Sequence, residues 1–432
     1  MKTLIDDSAL SDLPSAGRFI EDERKRAWSE FGALPIPSAG TEEWRYTDLS
    51  SFDFDYQPFA AGSVAANLDE VPERILAAAG VVGDRAGLQI QHNGSVAVSN
   101  LDADLAARGV IFGDLDRAAQ EHPELVEEHL GSLVPASRSK FVALHSSLRT
   151  GGTFLYVPPG VAVELPLQTL TWLDADGAAV FPHTLIVAGE DSEVTFIDRY
   201  ASPDLRGFSD AVVEIVVGPA ARVRYTSIQE WGEGVTHLGV QRARLSRDSE
   251  LRSLAVGFGG SLARAEAETI LAEQGASSEM LGLFFADGSQ HFDHRSEQDH
   301  SAPNCTSDLL YKGALRDESR AVYSGWVHVR PGAQRTEAMQ TNRNIVLSDR
   351  AKADSIPNLE IEANDVRCGH AASVGPVEEE TLFYLMSRGI PRAEAERLVV
   401  FGFFQEVLDR ITLDEVRDQV ADAIAAELAR GI

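Results

Sequence analysis

The hydrophobic pattern divides the chain into three stretches. The first, residues 1–137, mixes helical and loop character. In "AGRFIEDERKRAWSEFGALPIPSAG" the apolar positions Phe19, Ile20, Ala27, Trp28 and Phe31 recur at helical spacing, and Pro35, Pro37 and Gly40 close the segment. "TEEWRYTDLSSF" follows from Thr41; its Trp44 and Tyr46, two apart and flanked by charges, predict a segment anchored on a core. Residues 117–130, "RAAQEHPELVEEHL", predict a helix interrupted at Pro123.

From 138 to 376 the period changes to two, with Val, Ile, Thr, Phe and Tyr prominent, as in "HTLIVAGEDSEVTFIDRY" and "AVVEIVVGPAARVRYTSIQEW". A polar turn leading into an alternating strand recurs: "GEDSEVTF", "GPAARVRY", "SRDSELRS", "RDESRAVY", "PGAQRTEA" and "SDRAKADS". The units lie about 28 residues apart early and about 15 apart late, an imperfect repeat without intervening helices. Stacked coils of a β-helix fit this pattern; the evenly spaced strands of a sandwich fit it too.

At 377 the helical period returns and holds to 432. "VEEETLFYLMSRG" puts glutamates in a first turn and ends at Gly389. "PRAEAERLVVFGFFQEVLDRI" sets Val400, Phe404, Val407, Leu408 and Ile411 on one stripe. "TLDEVRDQVADAIAAELARG" opens with Thr412 and Glu415 in capping-box spacing and carries Leu413, Val416, Val420, Ile424 and Leu428 on a second stripe. A unit of about 55 residues is too small to bury several such stripes alone, so it must dock on the sheet or on a partner.

Charge and cysteine content narrow the function. The 432 residues hold 38 Lys and Arg against 67 Asp and Glu, a formal net charge of −29, which repels nucleic acid and anionic membrane surfaces. "MKTLIDDSALSDLPSAG" has no apolar signal-peptide region, no run approaches the roughly 18 apolar residues of a membrane span, and two cysteines make no disulfide framework. The expected location is the cytoplasm.

Several chemistries are absent from the sequence. No phosphate-binding G-x-x-x-x-G-K-[ST], no H-E-x-x-H and no C-x-x-C occurs, and "GFGGSLAR" has Leu262 where a dinucleotide fingerprint needs its third glycine. "QHFDHRSEQDHSAPNCTS", residues 290–307, gathers His291, Asp293, His294, His300 and Cys305, residue types that bind zinc or iron. Strand alternation separates His291 and Asp293 from His294, so hydrogen-bonded polar residues at turns are the simpler reading. "DVRCGHAASVG", residues 365–375, puts Cys368 and His370 on one face of a strand, with Arg367 and Gly369 on the other. A thiol beside an imidazole is a soft ligand pair suited to iron–sulfur clusters or zinc. The same pair also suits a buried cysteine and a backbone-satisfied histidine. The strand ends the β region, where an edge is open to a partner.

The stretch from Cys305 to Ile390, "CTSDLLYKGALRDESRAVYSGWVHVRPGAQRTEAMQTNRNIVLSDRAKADSIPNLEIEANDVRCGHAASVGPVEEETLFYLMSRGI", together with "EEWRYTDL" and "MLGLFFADG" (280–288), resembles the SufB/SufD family of iron–sulfur cluster assembly proteins. The resemblance covers most of the chain. It implies a mainly β fold: a right-handed parallel β-helix core (138–376) between N-terminal (1–137) and C-terminal (377–432) helical regions. It implies a non-catalytic scaffold subunit in a cytosolic complex with SufB and the ABC-type ATPase SufC, with ATP used only by SufC. Within the family the SufD branch is favoured over a SufB-like primary scaffold. "ELRSLAVGFGGSLARAEA" (250–267) carries no cysteine, and Cys305 is the only core cysteine before Cys368. The resemblance places His370 at the interface with SufB as a candidate ligand for iron or a nascent cluster, with Cys368 beside it. It places SufC on roughly 380–430 and leaves room for a homodimer of the isolated subunit. His291, His300 and Cys305 remain secondary metal candidates. A β-helix enzyme acting on polysaccharide, and a stand-alone metal protein using His291, His294 and His300, are the competing readings.

Overall fold

The period-two stretch folds as a tube of stacked coils. The computed structural model describes residues 5, 9–50, 55–58, 62, 65–80 and 84–429. From His183–Ala188 onward strands alternate between two ten-stranded sheets, so each pairs in parallel with the next strand but one. Positions 250, 277, 306, 337 and 367 lie in register in one sheet, and 262, 291, 320 and 352 in the other. One coil therefore takes about 30 residues and one strand with its turn about half of that, the geometry of a parallel β-solenoid. This resolves the two spacings in the sequence. "GEDSEVTF", "GPAARVRY" and "SRDSELRS" all enter strands of one sheet, whereas the three later units enter strands of both. Asp191, Ala220, Asp248, Asn304 and Arg335 each turn the corner two residues before a strand with φ between 53° and 59°. That region favours Asn, Asp and Gly among L-residues, which accounts for the polar turns.

Alternation along each strand sends one set of side chains into the tube. In "MLGLFFADG", Met280, Gly282 and Phe284 point inward, while Leu281, Leu283 and Phe285 point out toward the C-terminal helices. Gly282 has to lack a side chain, because a Cβ there would overlap the Tyr311 ring of the next coil. Gly313 stands in the same relation to Phe284.

The sheets begin upstream of the period-two stretch. Gly87–His92 and Ser95–Leu101 join one sheet, and Ile111–Asp114 joins the other. Helices Arg18–Ala33, Leu115–Glu121, Pro123–His129 and Lys140–Leu148 gather over the start of the tube, the second and third divided at Pro123 as the sequence predicts. They are tied down by a buried ionic network. Arg149 pairs with Asp116 at 2.7 Å and Glu23 at 3.4 Å, and Arg24 reaches the same Asp116 at 3.2 Å. Glu214 accepts the backbone N–H groups of Gly131, Leu133 and Val134 at 2.8–2.9 Å and meets His183 at 3.2 Å. The "EEWRYTDL" strap crosses the outer face of one sheet. Arg264 lies 4.0 Å over the Trp44 ring and donates to the Glu43 carbonyl at 2.9 Å, and Thr47 donates to Asp293 at 2.6 Å.

At the other terminus, Glu379–Ser387, Arg392–Leu408 and Asp414–Ala429 form the helical unit, the first stopped by Gly389 at φ +86°. Both predicted stripes are used on the tube and on each other: Val400, Phe404, Val407, Val416, Val420 and Ile424 are buried in one cluster with Ile228, Leu254, Val256, Leu283 and Phe285 of the sheet. Lys312 anchors the contact by donating to the Phe403 carbonyl at 2.8 Å and pairing with Glu406 at 2.5 Å. Among the described residues no helix is long and apolar enough to cross a membrane.

Glu214 is the group on which several buried donors converge. Glu214→Leu should strip three buried N–H groups of their acceptor and lower stability by about 3 kcal/mol or more; Glu214→Gln, which keeps a carbonyl acceptor, should lose less. Urea melts of the two variants check the order, and an unchanged midpoint for Glu214→Leu would contradict it.

Candidate functional site

The tube ends without a cover. Strands Lys352–Ile361 and Arg367–Pro376 are each paired on one side only, to Arg320–Val329 and Glu337–Val346, and neither holds a buried residue. Two ten-residue edges with unpaired backbone donors and acceptors are a template for another chain.

The face of the last strand follows from its neighbour. In Glu337–Val346 the buried, inward positions are Ala338, Gln340, Asn342 and Asn344. Their register partners are Cys368, His370, Ala372 and Val374, so these point along the tube interior at its mouth. Cys368 and His370 share that face, as the sequence predicts. Cys368 is half-buried against the cluster of Val327, Val329, Ala338 and Leu359, and burial pushes its thiol up. His370, two residues on, is exposed because no further coil lies over it.

Beneath this mouth runs a row of amides that the sequence reading missed. Gln340 reaches across the tube into the space left by Gly325 and donates from Nε2 to the Tyr323 hydroxyl at 3.1 Å; that hydroxyl also bonds Ser296 at 2.8 Å. Asn344 donates to Asn342 Oδ1 at 2.8 Å, and Ser355 donates to the same oxygen at 2.6 Å. The signal was present in "MQTNRNIV": three amides at period two, on the face that alternation buries.

The histidines of 290–307 are dispersed. His291 faces outward, its Nε2 3.3 Å from the Thr47 hydroxyl. His294 points inward and stacks on Phe284 at 4.7 Å, with no partner for either ring nitrogen. His300 is buried with Nε2 2.9 Å from Ser307 Oγ, and Cys305 is buried at a corner, donating to the Glu273 carbonyl at 3.3 Å. Among the described residues no three His, Cys, Asp or Glu side chains converge as a metal site. His370 and Cys368 have no third such side chain beside them among the described residues.

The fold is a parallel β-solenoid whose last coil is uncovered, with a thiol and an imidazole on its edge strand. Comparison with known proteins supplies the family. Residues 13–169 match the family model "SufBD protein N-terminal region" and residues 171–403 match "SUF system FeS cluster assembly, SufBD core domain". A Staphylococcus epidermidis protein described as "Iron-sulfur cluster assembly SufBD family protein" is 31% identical over 417 residues, covering 94% of this chain and 88% of its own. Counterparts from Staphylococcus saprophyticus and Staphylococcus aureus are 30% identical over the same length. The chain belongs to the SufBD family of iron–sulfur cluster assembly proteins.

Burial pulls the His294 imidazole down to about 4, so it stays neutral in the fold while the unfolded chain takes up a proton from about pH 6.5 downward. A histidine held neutral in this way subtracts stability as pH falls through that window. His294→Phe should therefore remove about 2 kcal/mol of the stability lost between pH 7 and pH 5. Urea melts at the two pH values measure the difference; parallel pH trends in variant and wild type would refute it.

Proposed function

We propose that the chain is a SufD-type, non-catalytic subunit of an iron–sulfur cluster assembly scaffold. Its open edge pairs with a SufB subunit, and His370, with Cys368 in support, contributes ligands for iron or a nascent cluster at the shared site. The observation that carries this is the inward-facing, uncovered imidazole of His370 on an edge strand that is paired on one side only among the described residues. The two-donor set supports it further, because no third His, Cys, Asp or Glu joins the pair among the described residues, and a second chain would supply the rest. The SufD assignment over SufB rests on the cysteines. There are two, Cys305 buried and bonded to backbone carbonyls and Cys368 at the mouth.

ATP hydrolysis would come from a SufC subunit seated on the C-terminal helices. The stripes predicted from sequence do not supply that surface, since they face the sheet and each other. What they leave outward is Phe383 at 74% exposure and Tyr384 at 57%, with Met386 and Leu398 nearby. Deleting 377–432 would uncover the apolar sheet face of Ile228, Leu254 and Leu283, so point changes are the cleaner probe.

His370→Ala in the coexpressed complex should leave assembly intact on gel filtration and lower iron and sulfide content several-fold, with Cys368→Ala losing less. Wild-type cluster content in an intact His370→Ala complex would return the edge to a packing role.

For the ATPase dock, Phe383→Ser with Tyr384→Ser should abolish capture of SufC without shifting the thermal midpoint, since neither residue is buried. Retained capture at wild-type affinity would rule out this face.

A further inference from the structure

We infer that Gln340 orients His370, its side-chain carbonyl accepting the proton of one ring nitrogen so that the other is presented to a metal. The inference rests on the reading of His370 as an iron ligand and adds a positioning residue to it. Gln340 and His370 are register partners on adjacent parallel strands, about 4.8 Å apart, with side chains on the same face. Gln340 is fully buried, and its amide is held from one end. Nε2 donates to the Tyr323 hydroxyl at 3.1 Å, and the side chain fills the gap at Gly325. Its Oε1 is buried with no hydrogen-bond partner. A buried carbonyl left unpaired is unfavourable, so the arrangement is incomplete without a donor.

The other side chains around the mouth leave Gln340 as the acceptor for His370. Ala372 on the same strand and Ala353, Pro357 and Leu359, the inward positions of the last strand of the opposite sheet, offer none, and the Ser355 hydroxyl is committed to Asn342. Asn344 also has an unpaired Oδ1, but it lies under Val374, four residues further along the strand. Histidines that bind metals generally donate their second N–H to a carbonyl or carboxylate, which fixes the tautomer and strengthens binding. Gln340 is placed to be that carbonyl.

Two measurements test this. In the complex with SufB and SufC, kept anaerobic and free of iron, Co(II) serves as the probe, and the binding lost in His370→Ala defines the site. Gln340→Leu should weaken that binding about 10- to 100-fold. Gln340→Glu, which keeps an acceptor, should restore it, and Tyr323→Phe, which frees the amide, should fall between. In the full chain alone, ¹⁵N imidazole spectra should show one dominant His370 tautomer in wild type and Gln340→Glu and a mixture in Gln340→Leu, at unchanged thermal midpoint. His370-dependent Co(II) affinity and tautomer both unaltered by Gln340→Leu would overturn this inference alone. Equal Co(II) binding by wild type and His370→Ala would overturn it together with the reading it rests on.

Discussion

Everything in this chain hangs on the parallel backbone ladder that stacks one coil on the next. Each strand satisfies its peptide groups through two neighbours about 30 residues away on either side, so a coil is stable only while it is sandwiched. The two ends of the stack are therefore where the structure has to do something different. At the start, helices and an antiparallel hairpin close it, riveted by the buried Arg149–Asp116–Glu23 and Glu214 network. At the finish, Lys352–Ile361 and Arg367–Pro376 are left bare. Natural sheets usually blunt long edges; here two are left open side by side, with a thiol and an imidazole at the mouth.

The interior is as polar as it is packed, and this sets its chemistry. Asp198 receives hydroxyls from Thr169, Thr184, Tyr200 and Tyr225, and Tyr323 links Ser296 to Gln340. Burial holds the inward histidines neutral, with His237 pulled to about 3 and His300 to about 4. Such groups rigidify the tube when they are satisfied and weaken it when they are not. Unpaired amide carbonyls occur along the tube, at Gln89, Gln91, Gln298, Gln340 and Asn344, the last two in the strand next to the open edge.

The outer faces are divided between the two helical regions. Most N-terminal helices and the "EEWRYTDL" strap cover one sheet; the C-terminal unit covers the other, with the short helix Glu73–Ala78 packed near the start of that same sheet. Because the C-terminal stripes are consumed by that cover, the large apolar side chains this unit leaves exposed lie elsewhere, at Phe383, Tyr384, Met386 and Leu398.

The sequence by itself determined what depends on local backbone period: alternating strands, helices broken at Pro123 and stopped at Gly389, apolar stripes, and the shared face of Cys368 and His370. A side chain's direction repeats every two residues in a strand and every 3.6 in a helix, so these features need no knowledge of distant partners. Tertiary structure decided which strands stack, and with that every relation across coils. It showed the spacings of about 28 and 15 residues to be one repeat, sent His291, His294, His300 and Cys305 to separate surroundings, turned the C-terminal stripes toward the sheet, and set Gln340 beneath His370. Coil length and register fix these pairings across about 30 residues of chain, a separation over which no local pattern carries information.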